Sequence, residues 1–263
     1  MTSYVHGYDE RANERLRDQA AALVDLLHHD TAYPAGARVL EAGCGVGAQT
    51  VTLAANSPQA HFVSVDLSAD SVAEARRRTR HLDNVELMQG DLFALPFEPA
   101  SFDHAFVCFV LEHLPQPVAA LKTLIELVKP GGSVTVIEGD HGSTYFHPDS
   151  ADAHAAIQCQ VELQHRGGGD SEIGRQVFPL MVAAGLGGVA VSPRMVYVDE
   201  SRPELRDMFT HRTFTAMIEG VRESALIAGL IEPERFDAGI RDLYATDVFC
   251  YTFFKGVGYR PAA

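Results

Sequence analysis

The sequence predicts an α/β fold, a parallel sheet covered by helices on both faces. Short runs that are apolar along their whole length recur through the first half of the chain. Helical patterns separate them, and a glycine-rich turn follows the first run where a helix begins. Strands apolar on both faces, rather than alternating, are buried on both faces, as a parallel sheet requires. At 263 residues and 46% hydrophobic composition, the chain has the apolar material for a sizeable core.

Residues 13–29 read as an amphipathic helix, with Leu16, Ala20, Leu23, Val24 and Leu27 on one face. Strands follow at 38–42, 61–66, 84–89, 102–110 and 133–139, with helices at 49–55, 71–81 and 118–128 between them. Pro130-Gly131-Gly132 reads as a turn into the fifth strand. Past Gly142 the pattern loosens. A helix at 149–165, a glycine loop at 166–170 and a helix at 172–184 ended by Gly185 come first. The run 187–199 is extended but interrupted by Pro193, as suits an edge strand. Residues 201–246 read as mainly helical, and 248–256 as a closing apolar strand. With no repeat and no clear linker, the expectation is one domain over 1–263.

The formal net charge of −14 argues against broad contact with nucleic acid or anionic lipid, since both call for a basic surface. No run approaches the ~18 apolar residues of a membrane span. The polar N-terminus, of mixed charge, does not read as a signal peptide. Cys44, Cys108, Cys159 and Cys250 lie far apart, which suggests reduced, buried thiols in a cytoplasmic protein. A small-molecule partner is the expectation, with a homodimer as one assembly this allows.

The chemistry starts in Arg38-Val39-Leu40-Glu41-Ala42-Gly43-Cys44-Gly45-Val46-Gly47-Ala48. Gly43, Gly45 and Gly47 let backbone approach a ligand, and the helix that follows presents free amide groups. Asp66 ends the second strand, where a carboxylate can accept from both hydroxyls of a ribose. Gly43, Gly45 and Ala48 also satisfy the nicotinamide-dinucleotide pattern, so two cofactors stay open at this point. Further segments follow in order: Gln89-Gly90-Asp91-Leu92, Leu95-Pro96-Phe97, Ser101-Phe102-Asp103, Val110-Leu111-Glu112-His113-Leu114 and Leu127-Val128-Lys129-Pro130-Gly131-Gly132.

This ordered series resembles the class I S-adenosylmethionine-dependent methyltransferases, specifically their UbiE-like small-molecule, natural-product branch. The resemblance covers residues 36–140 closely. It implies a Rossmann-like seven-stranded sheet of order 3-2-1-4-5-7-6, with an N-terminal lid and a helical insertion before the last strand. Residues 1–30 would be the lid and first helix, 36–140 the cofactor-binding core, and 141–263 the substrate-side helices and closing strands. Glu41 and the Gly43, Gly45, Gly47 loop would hold the methionine part of the cofactor. Asp66 would take the ribose, with Leu67 beside the adenine. Asp91 would bind the adenine amino group, with Leu92 against the ring. Backbone near Phe109 would face the sulfonium, with His113 nearby. The lid would bring in Tyr4, His6 and Tyr8.

Methyl transfer is an in-line displacement, so a protein supplies mainly alignment and exclusion of water, with one base where the acceptor must lose a proton. Glu138, His141 and Tyr8 are the candidates for that acceptor-side chemistry, with Tyr145 and His147 close behind. Their bland competitors are an ion pair for Glu138, a satisfied loop histidine for His141 and a surface aromatic for Tyr8. His141, His147 and His154 are spaced six and seven apart, which does not suit a helical ligand pair, so no metal is expected. Arg166, Arg175 and Arg194 read as substrate clamps, as holders of the cofactor carboxylate or as partners of surface acids. Met208, Phe209, Phe214, Met217 and Ile218 read as core or as an apolar lid. No Asn-Pro-Pro-Tyr or Pro-Cys follows the fourth strand, which excludes the amino-directed and cytosine-C5 types. The remaining reading is methylation of a small, aromatic or heteroaromatic metabolite, with ring-carbon methylation of an indole-like acceptor as its sharpest form. Alternatives are O- or N-methylation and, from other classes, a nicotinamide-dependent oxidoreductase or a non-catalytic cofactor-binding protein.

Overall fold

Residues 23–262 are described by a computed structural model. Tyr4, His6, Tyr8 and the first part of the expected first helix lie outside the described residues. Residues 23–28 are helical (α1) and bury Leu23 and Leu27. Strand and helix then alternate: β1 (Arg38–Ala42), α2 (Ala48–Asn56), β2 (His61–Asp66), α3 (Ala69–Thr79), β3 (Val85–Gln89), β4 (Phe102–Cys108), α4 (Pro117–Leu127) and β5 (Val128–His147). After α5 (Ala151–Arg166) and α6 (Val177–Ala184) come two long strands, β6 (Gly187–Val198) and β7 (Val248–Tyr259). All seven strands form one sheet in the order β3-β2-β1-β4-β5-β7-β6, as expected. The pairings among β1 to β5 are parallel, and β7 runs antiparallel to β5 and β6.

The apolar strands are explained by two cores, one on each face. Val39, Phe62, Phe106 and Ile137 point into one. Their chain neighbours Leu40, Val63, Val107 and Val136 point into the other. With a period of two, a strand buried on both faces has no position left for polar alternation. In β1 and β2 the buried polar exceptions are Glu41 and Ser64, and both serve the site described below.

Three features depart from expectation, and the region 201–246 is helical as expected. The Pro130-Gly131-Gly132 segment is absorbed into β5 as an irregularity, where partners jump from Phe102↔Val128 to His104↔Ser133. β5 also runs on to His147, with a second register shift between Asp140 and Tyr145. The helix expected at 172–184 divides into a 3-10 turn, Ile173–Gln176, and α6. The helical region before β7 comprises α7 (Pro203–Leu205), a π-helical stretch (Arg206–Thr215), α8 (Ala216–Glu219), α9 (Arg222–Ile227) and α10 (Pro233–Tyr244). Pro193 lies in β6 opposite Phe254, at the sheet edge, where a missing donor is tolerated.

An i→i+5 helix stacks residues five apart, and here it stacks Phe209 with Phe214 on the buried side. Both rings meet the aromatic ladder of β7, Phe209 at 5.9 Å from Phe253 and Phe214 at 4.9 Å from Phe249. The chain after α1 is pinned to the far edge of the sheet. Buried Lys255 of β7 donates to Asp30 Oδ1 at 2.6 Å, and Arg194 of β6 donates to Asp30 Oδ2 at 2.5 Å.

Candidate functional site

The parallel strands all end on one side, where an open sheet of this kind binds ligands. The first half of the site is the loop between β1 and α2. Gly43, Gly45 and Gly47 all have positive φ. A Cβ on Gly43 would lie 2.3 Å from Val110 Cγ2, so only glycine fits that position. Around Gly45 the same construction meets nothing within 4 Å, so this turn faces open space. Gly43 and Cys44 donate backbone N–H bonds to the Val65 carbonyl at 2.8 and 2.9 Å.

Asp66 completes the cradle. Its Oδ2 accepts from Gly45 N at 2.8 Å and its Oδ1 from Ser68 N at 2.9 Å. Each oxygen has a second lone pair for a further donor. Burial raises the Asp66 pKa, against the pull of those two bonds. Ser68 caps α3, accepting from Ser71 N, which leaves Asp66 without that task. Glu41 is buried under the loop, with Oε2 accepting from Thr50 at 2.7 Å and Ser64 at 2.6 Å. Burial, then the neighbouring Asp66 charge, pushes its carboxyl up to about 7 against those two hydroxyl bonds. Leu67 stands 66% exposed beside Asp66, an apolar surface with no protein covering. Asp91 is exposed and caps the turn Leu92–Ala94 through Phe93 N at 2.9 Å, while Leu92 is half-buried.

The second half lies at the ends of β4, β5 and β7. Phe109, the residue just past β4, is a non-glycine residue at φ 57. Such a conformation costs on the order of 1–3 kcal/mol and persists only where its surroundings impose it. Glu138 is part of those surroundings. Its Oε1 accepts from Val110 N at 3.0 Å and Leu111 N at 2.8 Å, the two amides that follow Phe109. Glu138 is fully buried, and its Oε2 has no hydrogen-bond partner. Burial, then the charge of Glu112, raises its pKa well above the usual carboxylate range.

His141 lies at the irregularity in β5. Its Nδ1 is 3.1 Å from the Ser171 carbonyl and 3.1 Å from the Tyr251 hydroxyl, and its Nε2 has no partner. Burial lowers its pKa, so the ring is neutral at pH 7. His113 stands in the turn after β4, with Nε2 at 3.6 Å from Glu112 Oε1. The loop glycines, Glu41 and Asp66 thus gather at the ends of β1 and β2, with Asp91 beyond β3. Phe109, His113, Glu138 and His141 gather where the parallel pairing of β4 with β5 stops.

The three arginines are all engaged by acids. Arg175 grips Asp140 through two bonds of 2.8 and 2.7 Å, Arg166 donates to Glu162, and Arg194 holds Asp30. Among the described residues, no group of three or more His, Cys, Asp or Glu side chains is arranged to hold a metal. No described helix is long and apolar enough to cross a membrane. All four cysteines are buried and free of disulfides.

Several residues of the site had no clear signal in the sequence. Thr50 and Ser64 hold Glu41. Tyr251 reaches His141 across 110 residues of chain. Gln160 and Gln164 run along the buried face of α5 and reach Glu112. That last pair had a legible sign, two amides four apart within the apolar stripe Ala153, Ala156, Ile157.

Residues 39–132 match the family model described as "Methyltransferase domain". An uncharacterized 37.1 kDa protein in transposon TN4556 of Streptomyces fradiae is 36% identical over 160 residues, 60% of this chain and 46% of that protein. Demethylmenaquinone methyltransferase of Staphylococcus aureus is 35% identical over 104 residues, 39% of this chain and 43% of that enzyme. The chain therefore matches less than half the length of these curated relatives. Among solved structures, Haemonchus contortus phosphoethanolamine N-methyltransferase 2 in complex with S-adenosyl-L-methionine superposes with a TM-score of 0.56 at 16% identity. The match covers 93% of this chain and 52% of that one, and it speaks for the fold.

Proposed function

We propose that the chain, whose residues 39–132 match a methyltransferase domain, acts as a class I S-adenosylmethionine-dependent methyltransferase on a small aromatic or heteroaromatic metabolite, releasing S-adenosylhomocysteine. Ring-carbon methylation of an indole-like acceptor is the form we favour over O- or N-methylation. One observation carries the cofactor assignment. A loop of three left-handed glycines, open at Gly45, is fastened by its own amide to the Asp66 carboxylate at the end of β2.

When bound, S-adenosylmethionine supplies a methyl group activated on a positive sulfur. The residues present suit it. Glu41 answers the cationic methionine end through Oε1, which accepts nothing from the described residues. Asp66 has a free lone pair on each oxygen for the two ribose hydroxyls. Leu67 and Leu92 offer apolar surface to the adenine, and Asp91 a carboxylate to its amino group. The strained Phe109 turns backbone toward the reacting centre, with His113 beside it. Tyr4 and Tyr8 belong to the same proposal as parts of a lid over the site.

On the acceptor side, Phe214 and Tyr251 place their rings beside His141, with Phe253 against Tyr251 and Phe109 against Phe253. A neutral His141 is able to accept a proton. Glu138 serves the same chemistry from behind, by holding the turn after Phe109 in place. The proposal includes a cytoplasmic protein acting without nucleic acid or membrane, and the net charge of −14 supports that part. A homodimer is its assembly.

The test is a methyl-transfer screen of aromatic and heteroaromatic metabolites, read by mass as the gain of one methyl. Turnover of a nitrogen heterocycle or phenol is expected. Binding of NADH without binding of S-adenosylmethionine would sink the reading.

A further inference from the structure

Glu112 carries no role in the reading above, yet the buried polar groups of the acceptor side converge on it. It sits in the 3-10 turn Leu111–His113 beyond β4. Gln164 Nε2 donates to both its carbonyl oxygen and its Oε2, each at 3.1 Å. Gln160 Nε2 holds Gln164 in turn, at 2.9 Å. A chain of buried amides on α5 thus aims a donor at this carboxylate. The Glu112 side chain nevertheless stays 13% exposed, whereas Glu138 is 0% exposed. Of the two neighbouring acids, only Glu112 is reachable. Among the described residues, no arginine or lysine pairs with either.

His141 supplies an independent observation. Its Nδ1 faces the Ser171 carbonyl, which can only accept, so we assign the ring proton to Nδ1, with the Tyr251 hydroxyl oxygen at 3.1 Å as a second acceptor. Nε2, at the opposite edge of the ring, is then a bare lone pair. It is buried, with the residue 6% exposed, and has no partner. Adjacent residues of one loop hold the two together: Asp170 N donates to the Glu112 carbonyl at 2.7 Å, and the Ser171 carbonyl accepts from His141 N at 2.9 Å. A carboxylate and a bare imidazole nitrogen, both acceptors, therefore share one place, with the rings of Phe214 and Tyr251 at 5.8 and 5.6 Å from His141. A buried acceptor left unmet is costly, so this place calls for a donor.

We propose that Glu112 and His141 Nε2 anchor the methyl acceptor, and that the acceptor meets them with an N–H donor, either a heteroaromatic N–H or a protonated amine. The inference rests on the reading of this end of the sheet as the acceptor side. It separates Glu112, which touches the acceptor, from Glu138, which holds the backbone behind it.

The test uses the full chain saturated with S-adenosylhomocysteine and titrated by calorimetry with indole, benzofuran and butylamine. Benzofuran has the shape of indole without the N–H. Indole bound at least tenfold tighter than benzofuran supports the heteroaromatic donor, and binding of butylamine supports the ammonium. Glu112→Gln should bring indole and benzofuran within threefold of each other and abolish butylamine binding. Its affinity for S-adenosylhomocysteine and its unfolding midpoint should stay at the wild-type values. Should benzofuran bind as well as indole while butylamine does not bind, the inference is overturned and the aromatic reading stands. Butylamine bound with both ring probes rejected would overturn the aromatic reading and keep the inference. No binding of any probe overturns both, and a wild-type preference retained by Glu112→Gln overturns the inference alone. The probe comparison in the wild-type protein needs no variant, so it holds even if the substitution fails to fold.

Discussion

The ends of β1 and β2 and the ends of β4, β5 and β7 make opposite use of buried carboxylates. On the first side each acid is met by groups near it in the chain or on the adjoining strand: Asp66 by Gly45 and Ser68, Glu41 by Thr50 and Ser64. On the second side Glu138 is met from the end of the adjoining β4, but Glu112 takes its partner from α5 and His141 from β7, and Glu138 Oε2 and His141 Nε2 remain unmet. The difference separates two tasks. A cofactor that never changes can be received by a cradle built from local groups. An acceptor that differs from one enzyme to the next is received by atoms whose partners the fold leaves open.

The contrast breaks most directly at Asp66. Asp66→Ala removes the tie to Gly45 as well as the carboxylate offered to the ribose. Cofactor affinity should fall by roughly 2–4 kcal/mol, which is roughly 30- to 1000-fold. Calorimetry with S-adenosylhomocysteine measures it, and an unchanged dissociation constant would remove the ribose assignment.

The next effect lies in pH dependence of stability. His28 is held at about 4, below its usual 6.5, by burial, with the bond to Gln49 opposing. Below pH 6.5 the unfolded chain takes up this proton first, so stability falls as pH drops from 6.5 to 4. Glu41 is raised from 4.5 to about 7, chiefly by burial. The unfolded chain loses that proton first, so stability falls as pH rises from 4.5 to 7. Each displacement is worth about 3 kcal/mol, and the two slopes oppose between pH 4.5 and 6.5. Glu41→Gln removes one of them. Urea unfolding of this variant should then show stability rising with pH across that window by about 3 kcal/mol relative to wild type. Parallel curves for the two proteins would place Glu41 outside the ionisable set.

The same contrast explains how much was legible beforehand. The sheet order and the cofactor cradle were, because β1, its glycine turn and Asp66 form a local pattern whose spacing is set by one βαβ unit. The 3-10 turn after β4 was visible only as the segment Val110 to Leu114, and nothing in it marked Glu112 over His113. That choice is made by Gln164, 52 residues later. Tyr251 was hidden among the apolar residues of β7, since its partner depends on the antiparallel register that brings Thr252 opposite Asp140. The extent of β5 was missed because glycine and proline read as a turn. Pairing with β4 on both sides of them, at Val128 and again from Ser133, keeps them within the strand.

The finest distinction concerns Glu138, where the expected effect is smallest. Its Oε1 holds two backbone amides, and its raised pKa favours the protonated form, for which glutamine is close in shape. The glutamine carbonyl can accept from Val110 and Leu111, and its amide nitrogen replaces an oxygen that already lacks a partner. Glu138→Gln should therefore change unfolding free energy by less than about 1 kcal/mol. Turnover of whichever acceptor the screen identifies should stay within threefold, with the pH–rate profile unmoved. Were Glu138 itself the proton acceptor, the same substitution would cost on the order of 100-fold or more and erase a limb of that profile. Glu138→Ala supplies the contrast, because it strips the acceptor from two buried amides and frees Phe109 from its left-handed turn. Loss of activity in alanine with retention in glutamine marks a residue that positions the backbone. Equal loss in both would return Glu138 to the reacting centre and Glu112 to the background.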